Sequence, residues 1–284
     1  MKRMVKLANG DMVPAIGMGT WYLGENPDKR QEELASLKAG ISQGIRLIDT
    51  AEMYGCGESE RLVAEAIRHE NRNNLYLVSK FYPSNASRSG VKKACDDSLK
   101  RLETDYLDLY LYHWRGSIPL AETVSALEEL KCSGKIKNWG VSNFDLEDMK
   151  DLFKVKDGNK CLVNQVLYHM GSRGIEFELL PWMLEKGVTL MAYCPLAQGG
   201  KLKPVLLKNK VLQKIAKEHQ CSIYQILLAW TIRNGNTIAI PRSSKKEHTL
   251  DNAGSVNVIL SETDLQRIDS AFPPPIRRTI LDMQ

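Results

Sequence analysis

The sequence predicts an α/β protein: a (β/α)8 TIM barrel with an N-terminal β-hairpin closing the bottom. Three observations carry the prediction. Short β-branched or leucine-rich runs alternate with amphipathic helical stretches along the chain, the pattern of a parallel sheet flanked by helices. Eight such strand–helix steps follow one another without an obvious interruption, which favours a closed barrel over an open doubly wound sheet. At 284 residues an α/β barrel routinely forms one domain, so 1–284 is expected to be a single unit.

The elements are justified in order. Residues 5–7 and 12–14 flank Asn9-Gly10-Asp11, and Asn-Gly suits a tight turn, so a hairpin is expected ahead of the barrel. Barrel strands are expected at 15–19, 47–49, 75–79, 107–112, 136–141, 161–167, 188–193 and 237–240. Between 87 and 102, Val91, Ala94, Cys95, Ser98, Leu99 and Leu102 recur at spacings of three and four, one face of a helix. Residues 122–133 do the same with Val124, Leu127 and Leu130 before Gly134, a helix-stop residue. Further helices are expected at 177–185, stopped by Gly187, and at 209–218 and 222–234. Three consecutive prolines after Phe272 predict an extended tail, 271–284, crossing the surface.

Composition narrows the function. With 26% charged and 43% hydrophobic residues the chain can bury a sizeable core. No apolar stretch is long enough for a membrane span, and the N-terminus lacks a signal-peptide core, so no membrane association is expected and the cytoplasm is the default location. The net charge of +5 is spread along the chain with no basic stripe, which argues against nucleic-acid binding. Cysteines at 56, 95, 132, 161, 194 and 221 form no CxxC pair, so neither a disulfide framework nor a metal site is expected.

Four residues suggest chemistry. Asp49 closes one expected strand, Lys80 and His113 follow the next two, and Tyr54 lies five residues past Asp49. At the ends of successive parallel strands they would meet at one face of a barrel. An ammonium beside a phenol favours the phenolate and lowers its pKa by roughly 1–3 units, so Lys80 is expected to make Tyr54 a better acid, with Asp49 orienting Lys80. His113 would donate to a carbonyl oxygen. Each residue alone also has a structural explanation: Asp49 as a cap, Lys80 as a solvated charge, His113 as a core histidine, Tyr54 as a packing aromatic.

Several motifs, in order, make the chain recognisable: Gly17-Met-Gly-Thr-Trp21, Leu47-Ile-Asp-Thr-Ala-Glu-Met-Tyr-Gly55, Val78-Ser-Lys80, Asp105-Tyr-Leu-Asp-Leu-Tyr-Leu-Tyr-His113-Trp114, Gly134-Lys-Ile-Lys-Asn-Trp-Gly-Val-Ser-Asn-Phe144, Asn164-Gln165-Val166, Ala192-Tyr-Cys-Pro-Leu196 and Ile238-Ala-Ile-Pro-Arg242. On these the chain resembles the aldo-keto reductases over essentially its full length. Segments 20–24 and 162–175 look most like the bacterial methylglyoxal-reductase type. The resemblance implies NADPH-dependent reduction of aldehydes and ketones by a monomer, with Tyr54 as general acid, Lys80 and Asp49 as its tuning pair and His113 as the orienting residue.

The cofactor site follows from the same resemblance. Ser142, Asn143 and Gln165 would bond the nicotinamide carboxamide and Tyr193 would stack beneath the ring. Gly19, Thr20 and Trp21 on the first strand's end, with Pro195, Leu196 and Gln198 in the loop over the pyrophosphate, would complete the cradle. Arg242, Ser243 and His248 would hold the 2′-phosphate, although Arg242 stands where Lys is usual and His248 where many animal relatives carry Arg. Asp251 and Asn252 match the adenine-binding pair, with Asp replacing the commoner Glu. NADPH is expected, with dual NADPH/NADH use as the alternative. No complete Gly-x-Gly-x-x-Gly fingerprint follows a strand, so a Rossmann mode of binding is not expected.

Trp21, Met53, Tyr82 and Trp114 would wall a pocket for a small carbonyl substrate. The short loop at 115–120 and the end of the sequence at Gln284 suggest an open, shallow pocket of broad specificity. Two other functions remain open on sequence grounds: a cofactor-holding sensor on the same barrel, and a dehydrogenase working in the oxidative direction.

Overall fold

A computed structural model describes residues 3–197 and 202–284. The chain opens with an antiparallel hairpin, β1 (Met4–Lys6) and β2 (Met12–Pro14). Eight parallel strands follow: β3 (Met18–Gly19), β4 (Leu47–Asp49), β5 (Tyr76–Phe81), β6 (Leu107–Tyr112), β7 (Ile136–Ser142), β8 (Val163–Leu167), β9 (Thr189–Tyr193) and β10 (Thr237–Ala239). Each pairs with its sequence neighbour. The seam closes between first and last, where Ala239 N donates to Ala15 O at 2.8 Å and Gly19 N to Pro241 O at 3.1 Å. Gly19 permits that approach, since a Cβ there would stand 2.8 Å from the Ile240 carbonyl oxygen. The expected barrel is the observed one.

Two apolar layers follow from the pleat, because alternate residues of a strand face opposite sides. Val78, Leu109, Leu111, Val163 and Met191 fill the barrel interior. Leu77, Phe81, Tyr110 and Tyr112, their neighbours in sequence, face the helices. The hairpin seals the lower end: Val5, Leu7 and Val13 join the interior cluster. Its turn is latched to β7 by Asn138 Nδ2 donating to Asp11 Oδ2 at 2.9 Å and Asn9 Nδ2 donating to Asn138 Oδ1 at 3.0 Å.

Several helix starts are set by side-chain caps. Ser87 accepts from Gly90 N ahead of helix Arg88–Leu102, Asn209 caps Lys210–Glu218, and Ser222 forms a capping box with Gln225 ahead of Ile223–Thr231. Such caps are worth about 1 kcal/mol each. Ser87, Asn209 and Ser222 therefore precede their helices, rather than beginning them as the periodicity suggested.

Two expectations change. β5 runs on to Phe81, so Lys80 lies inside the strand instead of after it. The tail does more than cross the surface. Arg173 Nη1 bonds Asp269 and the Phe272 carbonyl, Ser172 bonds Asp282, and the chain comes to rest with Met283 and Gln284 at the barrel mouth. Among the described residues no helix is long and apolar enough to cross a membrane.

Candidate active site

Strand order places the four candidate residues side by side at the upper rim. Asp49 ends β4, Lys80 is the penultimate residue of β5, and His113 follows β6 directly. Tyr54 begins the tight turn after β4, whose residues Gly55, Cys56 and Gly57 all have positive φ. Lys80, wholly buried, places all three ammonium donors: Nζ donates to Asp49 Oδ2 at 2.7 Å, to Thr50 O at 2.8 Å and to Tyr54 Oη at 3.0 Å. The His113 ring stands edge-on to Tyr54, 5.8 Å between centroids.

Burial governs the titration of this group. It pushes the Asp49 carboxyl up and the Lys80 ammonium down, and each is opposed by the other's charge. The pair is further solvated by the Thr50 carbonyl and by Gln165, whose Nε2 donates to Asp49 Oδ1 at 2.8 Å. Tyr54 is held well above its ordinary value, first by burial and then by the Asp49 charge. This corrects the expectation that Lys80 would lower it: the dehydrated phenol keeps its proton. His113 is driven down to about 2, by burial and then by Lys80, and is neutral. Its Nδ1 is buried without a partner, which leaves Nε2 as the nitrogen able to meet a ligand.

Since Lys80 donates to Tyr54 Oη, the phenol's own hydrogen must point elsewhere. The space available is a cavity of about 290 Å³ that touches Asp49, Tyr54 and His113, together with Gly19, Thr20, Trp21, Ser142, Asn143, Gln165, Tyr193 and Arg242. Thr20 Oγ1 donates to Asp49 O, Ser142 Oγ to Gln165 O, and Tyr193 Oη to Asn143 Oδ1 at 2.9 Å. Asn143 adopts a left-handed φ of 56° and its Nδ2 reaches the His113 carbonyl.

Of the expected substrate wall, Trp21, Met53 and Trp114 line the cavity. Tyr82 stands behind them, edge-on to Trp114 at 5.9 Å. Cys194, Ile240, Met283 and Gln284 also line it. Cys194 adjoins the expected Tyr193, but nothing in the local pattern announces that the tail ends here, where Cys194 Sγ bonds Gln284 Oε1 at 2.9 Å. The pocket expected to be open and shallow thus gains a wall from the tail.

The remaining cofactor candidates spread outward. Arg242 spends two donors on carbonyls, Nε on Trp21 O at 3.1 Å and Nη2 on Tyr22 O at 3.4 Å. Ser243 and Asn252 share a separate small crevice with Gly17 and Thr249. His248 is exposed on helix Lys246–Gly254. Asp251 accepts from Ser222 Oγ at 2.6 Å, a bond that ties two helices together. Pro195 is buried and Leu196 packs on the core outside the cavity; Gln198 lies outside the described residues.

The model of the aldo/keto reductase family matches residues 15–272. The chain belongs to the aldo/keto reductase family. This aldo/keto reductase is 49% identical to methylglyoxal reductase YeaE of Escherichia coli over 282 residues, 99% of either chain. It is 37% identical to a glyoxal reductase of Bacillus subtilis, covering 95% of this chain and 93% of that one. A crystal structure of an aldo/keto reductase from Klebsiella pneumoniae in complex with NADP and acetate superposes with a TM-score of 0.96, at 48% identity and full coverage of both chains.

Proposed function

We propose that this aldo/keto reductase reduces small reactive aldehydes and ketones, methylglyoxal among them, with NADPH and with Tyr54 as general acid. The observation that carries the reading is the unbroken chain Asp49–Lys80–Tyr54, which ends at a phenol on the cavity wall. The names of the two reductase relatives support the substrate class, and the NADP held by the Klebsiella protein supports the cofactor.

The donor set suits a nicotinamide. Gln165 commits Nε2 to Asp49 and keeps Oε1 for a carboxamide, while Ser142, Asn143 and the Tyr193 ring line the same cavity. Gly19, Thr20 and Trp21 would flank the cofactor at the first strand's end, and Pro195 and Leu196, after β9, are our candidates for contact with its pyrophosphate. Arg242, Ser243 and His248 are our candidates for the 2′-phosphate, Asp251 and Asn252 for the adenine. NADPH, when bound, supplies the hydride.

The chain's own residues handle the proton. Neutral His113 donates to the carbonyl oxygen and holds it beside Tyr54. As Tyr54 releases its proton, the phenolate that forms faces an ammonium 3.0 Å away, so Lys80 stabilises charge that develops only during the reaction. Asp49 keeps Lys80 charged and aimed. Trp21, Met53, Tyr82 and Trp114 form the apolar wall. We read the protein as a cytoplasmic monomer, one domain over 1–284, with dual NADPH/NADH use as the alternative to NADPH.

The test follows NADPH absorbance with purified protein and methylglyoxal, an aromatic aldehyde, a sugar aldehyde and a ketone. Turnover with the small aldehydes is expected. Cofactor binding without consumption would instead favour a sensor.

A further inference from the structure

Tyr54 and Lys80 reach one another from different elements, so something must fix the turn that carries the phenol onto the strand that carries the ammonium. The turn is not self-supporting. Cys56 sits at φ 53° between Gly55 and Gly57, a conformation that costs a non-glycine residue about 1 kcal/mol or more and persists only where its surroundings impose it.

Two glutamates flank the turn, and both bond to β5 or its continuation. Glu60, in the first turn of helix Glu58–Ile67, is wholly buried and outside the catalytic cavity. Its Oε1 accepts from the Ser79 hydroxyl at 2.6 Å, one residue before Lys80. Its Oε2 accepts from Arg101 Nε at 2.5 Å. The Arg101 side chain lies so close to Gly57 that a Cβ there would meet it at 2.5 Å. On the other side of Tyr54, Glu52 N donates to Lys80 O at 3.2 Å, and Glu52 Oε1 accepts from Tyr82 N at 2.6 Å and Asn85 Nδ2 at 2.8 Å.

We propose that Glu60, backed by Glu52, is a positioning residue: the two carboxylates clasp the Tyr54 turn to the strand on both sides of Lys80 and thereby set the Tyr54–Lys80 contact. The clasp rests on the reductase reading for its kinetic consequence but not for its geometry. Glu60 touches neither the cavity nor the cofactor candidates, so its loss acts through the Tyr54–Lys80 pair. The Glu60 charge also helps to keep the Lys80 ammonium protonated.

The test measures kcat and the NADPH KM of Glu60→Ala and Glu60→Gln, with a crystal structure of each. Glu60→Ala is expected to lower kcat about tenfold or more, the scale of a misplaced reacting group, with NADPH KM within about twofold. Glu60→Gln keeps an acceptor for Ser79 and is expected to recover most of the lost rate. The Tyr54 Oη–Lys80 Nζ distance should lengthen beyond hydrogen-bond reach in the alanine variant and hold in the glutamine variant. Unchanged kcat in folded Glu60→Ala, or kcat and NADPH affinity falling together, overturns the proposal. Should Glu60→Ala not fold, Ser79→Ala breaks the same clasp without stranding Arg101, and wild-type kcat there overturns it equally. An inactive parent protein would sink the reductase reading instead, and the crystallographic distance then decides the clasp by itself.

Discussion

Gln165 and Asp49 join the two halves of the site: Gln165 Nε2 donates to Asp49 Oδ1 at 2.8 Å, across 116 residues of sequence. The residue expected to hold the nicotinamide amide is thus bonded to the carboxylate that holds Lys80. Gln165→Ala should therefore damage both functions, raising the NADPH KM and lowering kcat, each by about tenfold, the scale of one lost hydrogen bond. Steady-state kinetics check this. A change in KM alone would mean that the bond to Asp49 has no part in proton transfer.

Tyr54→Phe keeps the ring and removes the phenol proton assigned to the acid role. Turnover should fall by about a thousandfold or more, at the upper part of the range for general acid catalysis, while NADPH binding, followed by its fluorescence, stays near that of the parent. Retained turnover would remove Tyr54 from the acid role.

His113 makes a prediction about acid stability. Its folded value of about 2 lies below the ordinary 6.5, so between these limits the unfolded chain takes up a proton that the folded chain refuses. The stability contributed is present above pH 6.5 and is lost as pH falls, at about 1.4 kcal/mol per pH unit. His113→Asn should flatten the acid side of a plot of Tm against pH between about 6.5 and 4. Parallel curves for parent and variant would show that His113 titrates normally.

Arg242 divides its guanidinium between the Trp21 and Tyr22 carbonyls. Arg242→Ala should raise the NADPH KM about tenfold or more, on the scale of a lost charged hydrogen bond. The NADH KM should rise less, through loosening of Trp21. Equal effects on both cofactors would argue against a phosphate contact.

The fold and the centre of the site were legible for one reason. A parallel barrel gathers residues at strand ends, so local runs ending near Asp49, Lys80 and His113 already imply a common face. What depends on distant contacts was not legible. Nothing local shows that Met283 and Gln284 fold back to Cys194, or that Asp251 is taken by the Ser222 hydroxyl. The direction of the Tyr54 shift was misread because a sequence shows that Lys80 is near but not how dry the phenol is.

The pleat of β5 has a consequence for fidelity. Val78 faces the barrel interior, and Ser79 turns outward to Glu60; Lys80 faces inward again. A slip of one residue would drive Val78 among the helices and the ammonium out of the mouth at a single stroke. Folding and chemistry are therefore written in the same register, and packing acts as an error check: a chain whose interior is correctly filled has, by that fact, delivered its lysine.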